Sequence, residues 1–224
     1  MDILLLLLAV IITFSAQIYV STTYNKNKNI KAEKNITGFE VARTILDSYG
    51  LNNIYITETN GFLSDHYDPT RKVIRLSKEV FHGNSIASFS VAAHEVGHAI
   101  QDKTGYQFMK FRSLIFPLVN FASYSGYFAI LIGILLNSIN FIWLGISLEI
   151  IILLFQMVTL PVEFDASNRA LKELKKHKIL TKKELIKSKT MLTAAALTYI
   201  ASVLNTILQI LRLIIIFGNS NTEK

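Results

Sequence analysis

Four apolar stretches constrain this chain more than any other feature of its sequence. They cover residues 3–20, 114–136, 141–160 and 191–217. Each approaches the length of about 20 residues that an α-helix needs to cross the hydrocarbon core of a bilayer. Hydrophobic residues make up 51% of the chain and lie mostly in these blocks. The sequence therefore predicts a mostly α-helical membrane protein with four transmembrane helices.

The distribution of basic residues predicts how these spans are oriented. Twelve lysines and arginines lie between the first and second spans and nine between the third and fourth, whereas the link 137–140 has none. Because basic loops stay on the cytoplasmic side, both long loops are predicted to be cytoplasmic and both termini to face outside. The first span follows only Asp2 and lacks a basic leader, so it is expected to be a retained anchor.

These patterns divide the chain into six predicted segments. They are an N-terminal transmembrane anchor (1–20), a cytoplasmic segment (21–113) and a transmembrane hairpin (114–160). A second cytoplasmic segment (161–190), a transmembrane helix (191–217) and a short tail (218–224) follow. The net charge of +7 comes mainly from the two cytoplasmic segments, so the expected partner is the lipid bilayer and no nucleic acid. The chain has no cysteine, which excludes disulfides and cysteine-ligated metals.

Two charged residues lie inside the predicted spans, Glu149 in the third and Arg212 in the fourth. A rise of about 1.5 Å per residue places Glu149 roughly 12 Å and Arg212 roughly 8 Å from the outer ends of their spans. A charge inside a membrane is a functional candidate. At these depths the two side chains are predicted to form a structural salt bridge.

The first cytoplasmic segment is predicted to begin with a linker over the polar stretch 21–36. Residues 38–49 then carry Val41, Ile45 and Leu46 on one face, which predicts an amphipathic helix. The alternating stretch NIYITET and the stretch GFLSDHYDPTRKVIRLS follow, the latter with two short strands that meet at the turn DPTR. The prediction is a small antiparallel sheet.

A second helix is predicted from about Ser85 to near Gly105, and it contains the sequence HEVGH. A spacing of four places His94 and His98 one turn apart on one helix face, so both imidazoles can reach one metal ion. Glu95 is rotated by about 100° from His94 and can hold a water molecule on that ion. Zinc suits neutral imidazole and carboxylate ligands. The alternative, a buried helix that carries three polar groups by chance, is energetically costly.

The remaining ligand is expected in the sequence TLPVEFDASNRAL, at the cytoplasmic end of the third span. A third histidine six residues beyond His98 is missing, since that position is Thr104. Glu163 is the best candidate and Asp165 its rival. Pro161 fits either the first turn of a new helix or a kink.

Four motifs, in chain order, resemble the YugP-type neutral zinc metallopeptidase family of bacterial membrane proteins: LSDHYDPTRKVIRLS, VAAHEVGHAIQ, TLPVEFDASNRAL and AAALTYIAS. More distantly the chain is similar to HtpX-type gluzincins. The resemblance implies one Zn²⁺ held by His94, His98 and Glu163, with Glu95 as general base, in a small zincin-like α+β domain of a multi-pass bacterial cell-membrane protein. HtpX-type proteins have an aspartate four residues after the ligand glutamate, where this chain has Ser167. Asp165 or Asn168 is expected to support the zinc ligands instead.

The predicted function is a membrane-embedded zinc endopeptidase that cleaves peptide or membrane-protein substrates on the cytoplasmic side by a zinc-activated water. His66 and Tyr67 are candidate oxyanion donors, although both residues also fit an ordinary turn. By likeness to zincin architecture, KVIRLS is the expected edge strand to which an extended substrate adds.

Two alternatives stay open. In a site-2-type intramembrane protease the histidine pair lies inside a span, but here Gln101, Asp102 and Lys103 follow it, and that group's LDG-type aspartate motif is missing. A non-catalytic membrane scaffold or sensor with a structural zinc site needs four protein ligands, and the sequence offers three at a suitable spacing.

Overall fold

The structure is a computed structural model that describes residues 2–61 and 64–218. Over these residues the chain is mostly helical with one small sheet, as predicted. In chain order the elements are α1 (Asp2–Lys28), α2 (Gly38–Ser48), β1 (Tyr55–Thr59), β2 (His66–Asp68), β3 (Val73–Ser77), α3 (Lys78–Phe81), α4 (Ile86–Thr104), α5 (Gln107–Leu135), α6 (Ile139–Lys176) and α7 (Lys182–Phe217). The predicted tail lies outside the described residues from position 219 onwards.

The chain forms two compact units, each assembled from separate stretches of sequence. Among the described residues, the helical unit consists of 2–17, 110–161 and 197–218, and the α+β unit consists of 18–61, 64–109 and 162–196. Four helices, α1, α5, α6 and α7, are long and apolar enough to cross a membrane by length and composition. Each covers one of the four predicted apolar stretches, the second to within one residue, and all four helices also supply residues to the α+β unit.

The structure corrects one prediction about helix ends and narrows another. The stretch 21–36 is not a linker, because α1 continues to Lys28 and buries Tyr24 and Asn27 in the α+β unit. The residues after Lys28 are also held, since the main chain of Lys31 pairs with that of Ser85. Of the two alternatives for Pro161, a new helix does not begin there, because α6 runs through it; the missing N–H of proline cannot donate a helix hydrogen bond, so the alternative of a kink stays a prediction.

Within the helical unit, α6 and α7 share a small apolar core formed by Ile142, Ile146 and Ile210. The predicted salt bridge is wrong: among the described residues, no ion pair within 4.0 Å joins Glu149 to Arg212, and the Arg212 Nε is buried without a hydrogen-bond partner. Both side chains line one cavity of about 460 Å³ instead. Depth along a helix was predictable, but helix rotation, which sets where each side chain points, was not.

The α+β unit contains a three-stranded sheet with the strand order β1-β3-β2. The turn between β2 and β3 is as predicted, with Asp68 accepting hydrogen bonds from the backbone N–H groups of Thr70 and Arg71. However, the sheet is mixed rather than antiparallel, because β1 pairs with β3 in parallel and only β2 is antiparallel. The prediction that KVIRLS forms an edge strand is also wrong, since β3 is central and β1 and β2 are the edges.

Helices α2 and α4 form the core of this unit. Thr37 and Glu40 close the N-terminus of α2 with a capping box, and its predicted apolar face is fully buried. Helix α4 starts and stops near the predicted positions: Ser85 is its N-cap, and its C-cap is Gly105, which adopts the left-handed conformation that favours glycine. Because most residues of α4 before Lys103 are buried, its histidines are held in a packed interior rather than on a surface loop.

Candidate metal centre

His94 and His98 lie one turn apart on α4, as their spacing predicts. Their ring centroids are 4.7 Å apart and their ring planes meet at 84°. His98 is buried and His94 is half-buried, so the pair borders the interior of the α+β unit. In this arrangement each imidazole can direct one ring nitrogen towards the same metal-binding position.

Glu163 lies on α6 and completes a group of three at this point. Its Oε2 is 3.3 Å from the Nε2 of His94 and 3.6 Å from the Nε2 of His98. The candidate ligand atoms of the three residues all lie within 4.8 Å of one another, and it is the sole group of this kind found among the described residues. Two imidazole nitrogens and one carboxylate oxygen are a ligand set that zinc prefers in proteins.

Gly97 allows α6 to approach α4 closely enough for this grouping. A Cβ atom at Gly97 would lie 2.6 Å from the backbone oxygen of Ala166, a separation that real Cβ atoms do not reach. Both residues are buried, and Ala166 lies between Glu163 and Ser167 on α6. The close helix contact therefore positions the third residue of the group.

The substitution Gly97→Ala is expected to force α4 and α6 apart, because the clash is with backbone and a rotamer change does not relieve it. Overpacking of this kind costs about 1–3 kcal/mol. We expect a lower unfolding temperature and a reduced zinc content in detergent-purified protein. The matched control is Gly126→Ala in α5, where the added Cβ meets its nearest neighbour at an ordinary 3.4 Å. Equal stability and zinc content in the two variants would contradict this account.

Gln101 is the residue near the group that the sequence analysis missed. Its Oε1 lies 3.0 Å from the Nδ1 of His98, while its Nε2 donates to the backbone oxygen of Val162 and to Asp165. Because the amide nitrogen is used as a donor, the amide oxygen accepts from His98, which places the imidazole proton on Nδ1 and leaves Nε2 free for a metal. The spacing of three residues on one helix was the available signal.

Ser167 has the corresponding position beside His94, with its Oγ 3.2 Å from the Nδ1 of that ring. Asp165 and Asn168 are the residues predicted to support the zinc ligands, and among the described residues neither contacts His94 or His98 directly. Asp165 accepts hydrogen bonds from Gln101 and Arg169, so it acts one step away from His98. Asn168 is exposed.

Glu95 is buried beside the group. Burial raises the pKa of its carboxyl to about 7, opposed by the nearby His94 and assisted by the negative charges of Glu163 and Asp65. The nearby backbone N–H of Tyr67 also favours the ionised form. The DHYDP motif thus lies beside the site through β2, which is an edge strand of the sheet.

The side chains of the two candidate oxyanion donors have other partners. The hydroxyl of Tyr67 donates to Asp102 over 2.6 Å, in a network that also includes Lys72. His66 is exposed, and its Nδ1 lies 2.8 Å from the backbone oxygen of Ser64. Neither side chain is among those grouped around Glu163.

Comparisons with known proteins extend over almost the whole chain. Residues 2–218 match the model of a family described as "Putative neutral zinc metallopeptidase". The "Putative membrane protease YugP" of Bacillus subtilis (strain 168) is 43% identical over 212 residues, which cover 95% of this chain and 94% of that protein. No solved structure matches the chain.

Proposed function

Because the chain belongs to the YugP-type neutral zinc metallopeptidase family, we propose that it is a membrane-embedded endopeptidase that requires one Zn²⁺ ion. The resemblance predicted from the four motifs is thereby confirmed. The grouping of His94, His98 and Glu163, with Glu95 buried beside it, is the observation that supports the proposal most strongly.

The residues present fit a zinc ion. The Nδ1 atom of His94 contacts Ser167 and that of His98 contacts Gln101, so each ring can offer its Nε2 atom to a metal. Glu163 offers a carboxylate oxygen close to both Nε2 atoms. A bound zinc ion supplies Lewis acidity, which lowers the pKa of water in the site towards 7 and polarises a peptide carbonyl. Three protein ligands also leave a position for water and substrate, as in catalytic sites rather than structural ones.

Glu95 is proposed as the general base and acid. Its carboxylate accepts a proton from the attacking water and then delivers that proton to the amine of the leaving peptide. Burial raises the pKa of the Glu95 carboxyl to about 7 in the metal-free site, and the charge of a bound zinc ion would lower that pKa again. A pKa between the ordinary value and about 7 lets the carboxyl both accept and return a proton.

The four apolar helices support a multi-pass location in the cell membrane. The lysines and arginines on either side of the hairpin formed by α5 and α6 support a cytoplasmic active site with both termini outside. The expected substrates are then peptides or membrane-protein segments that reach this side. Helix α4 is not among the described helices apolar enough to span, which favours this arrangement over an intramembrane site-2-type protease.

The first test is the zinc content and activity of the full chain purified in detergent. We expect about one zinc ion per chain and cleavage of a denatured protein such as casein. Chelation should abolish cleavage, and added zinc should restore it. A chain that binds zinc tightly and cleaves no peptide bond would support the scaffold alternative instead.

Gln101 gives a prediction about zinc affinity. The substitution Gln101→Leu removes the acceptor of His98 Nδ1, and loss of such a supporting partner typically weakens metal binding by about 10–100-fold. Competition with a chromophoric chelator measures the change. The control is Thr104→Val one turn further along α4, because the Thr104 hydroxyl contacts only carbonyls of its own helix. An unchanged zinc affinity in Gln101→Leu would show that Gln101 does not position His98 for metal binding.

A further inference from the structure

The helical unit contains a cavity of about 350 Å³ whose lining does not match the apolar helices around it. Residues from α1, α5, α6 and α7 line it, and all have polar side chains except Ala16, Ile152 and Ala201. A polar side chain that faces lipid is energetically costly. In membrane-spanning helices, polar side chains therefore face water or contact other polar side chains. The volume corresponds to about ten water molecules at roughly 30 Å³ each.

Two acceptors of this cavity lack donors. Glu149 is 4% exposed, and among the described residues none donates a hydrogen bond to its carboxylate. Gln156 has a buried Oε1 with no hydrogen-bond partner. The two residues are seven positions apart on α6, so they lie on the same helix face two turns apart. Buried acceptors without donors are costly, and the cavity gives a donor room to satisfy them.

Glu149 is the single charged side chain among the described residues that line this cavity. Arg212 lines the adjoining cavity, which shares Thr13, Tyr127, Glu149, Asn205 and Gln209 with the first, but it lies beyond ion-pair distance of Glu149. An occupant of the first cavity therefore meets one carboxylate, several hydroxyl groups and the side-chain amides of Gln17, Gln156, Asn205 and Gln209, of which the buried Gln156 Oε1 lacks a donor. A group that carries a positive charge and several N–H donors complements these features.

We infer that this cavity is a hydrated binding site for a protonated amine, with Glu149 as counter-ion and Gln156 as a second acceptor. The amine is either a free small molecule or the lysine side chain of a polypeptide that enters the helical unit. The site is separate from the proposed zinc centre, since none of its lining residues belongs to that centre. Its test is therefore independent of peptidase activity.

The absence of cysteine makes a direct test possible, because one introduced thiol is the sole reactive thiol of the chain. Ser202→Cys places it in the cavity with a nearly isosteric change. Ser147→Cys is the matched control: Ser147 lines neither cavity, and like Ser202 its hydroxyl bonds the carbonyl four residues earlier on its own helix. The rate of reaction with cationic and anionic methanethiosulfonate reagents is measured in detergent, each relative to a free thiol.

We expect Ser202→Cys to prefer the cationic reagent by about tenfold, because a nearby carboxylate attracts that reagent and repels the anionic one. Ser147→Cys should show no such preference. Adding Glu149→Gln to the Ser202→Cys variant should remove the preference for the cationic reagent. Equal rates, a preference for the anionic reagent through Arg212, or a preference that survives Glu149→Gln would each overturn the proposal. If Glu149→Gln does not fold, the comparison of the two thiols in the otherwise unchanged chain decides.

The source of the amine is tested by measuring which amine-bearing compound slows labelling of the Ser202→Cys thiol. Methylammonium chloride is compared with sodium chloride at equal ionic strength, and an apolar peptide with one lysine is compared with its glutamine counterpart. Slower labelling with methylammonium supports a free amine as the ligand. Slower labelling with the lysine peptide alone supports a polypeptide side chain. Protection by neither would overturn amine binding.

Discussion

The substitution Glu95→Gln should lower peptidase activity by about 10²–10⁴-fold while zinc stays bound, since this is the contribution typical of a positioned general base. Glutamine keeps the size of the side chain but can neither accept the proton of the attacking water nor return it to the leaving amine. Because Glu95 is not among the three grouped ligand candidates, the metal content of the variant should equal that of the wild type. Cleavage of a quenched fluorescent peptide and zinc analysis of the same preparation provide the measurements.

The control for Glu95→Gln is Glu173→Gln. Glu173 is a buried carboxylate of the same unit, but its partners are Tyr49, Lys176 and His177 rather than the proposed zinc ligands. Its replacement should leave turnover within about twofold of wild type, because it touches no reacting group. If Glu95→Gln retained full activity, another residue would have to carry the proton and the proposed mechanism would fall.

The substitution Glu163→Ala should remove most of the zinc from the purified protein. It deletes the carboxylate whose Oε2 lies within 3.6 Å of both histidine Nε2 atoms. Two imidazoles alone are an incomplete set for a tetrahedral ion, so dialysis against a mild chelator should leave roughly a tenth or less of the wild-type occupancy. Peptidase activity should fall in proportion, and excess zinc should restore it poorly.

Asp165→Ala distinguishes the two carboxylates of this stretch of α6. Asp165 contacts Gln101 and Arg169, so its removal should weaken zinc binding only indirectly and far less than the removal of Glu163. Zinc retained by Glu163→Ala but lost from Asp165→Ala would reverse the assignment. Zinc absent from the wild type itself would refute the whole ligand set.

The parts of the fold that depend on local sequence were predictable. Apolar stretches of sufficient length predicted the four long helices, and the spacing of Val41, Ile45 and Leu46 predicted the buried face of α2. Helix α4 was predictable because both ends carry local signals, with Ser85 as N-cap and Gly105 after the last turn. His94 and His98 were predictable for the same reason, since one helix turn fixes their relation.

The parts that depend on packing between distant segments were not predictable. Alternating side chains indicate which face of a strand is buried, but not whether its neighbour runs parallel or antiparallel, and so the direction of β1 was missed. The composition of 21–36 is polar, yet Tyr24 and Asn27 are buried by neighbours that the local sequence does not reveal.

In the proposed site, too, contacts within one helix were predictable and contacts between helices were not. Glu163 could be proposed from its position after an apolar span, but its approach to the histidines depends on the space that Gly97 leaves for Ala166. That close contact also brings Ser167 to His94, which no spacing in the sequence indicates. Gln101 is different: it follows His98 by three residues on one helix, so its contact with the ring was within reach of sequence reasoning.

The order of the proposed ligands along the chain has a consequence for biosynthesis. Glu163 follows His98 by 65 residues, and α5 and the first part of α6 come between them. A ribosome that adds about 5–20 residues per second needs roughly 3–13 s to pass from one to the other. A nascent chain that has completed α4 therefore contains only two of the three proposed ligands. On the proposed assignment, the metal site is complete only after α5 and the first part of α6 have been synthesised.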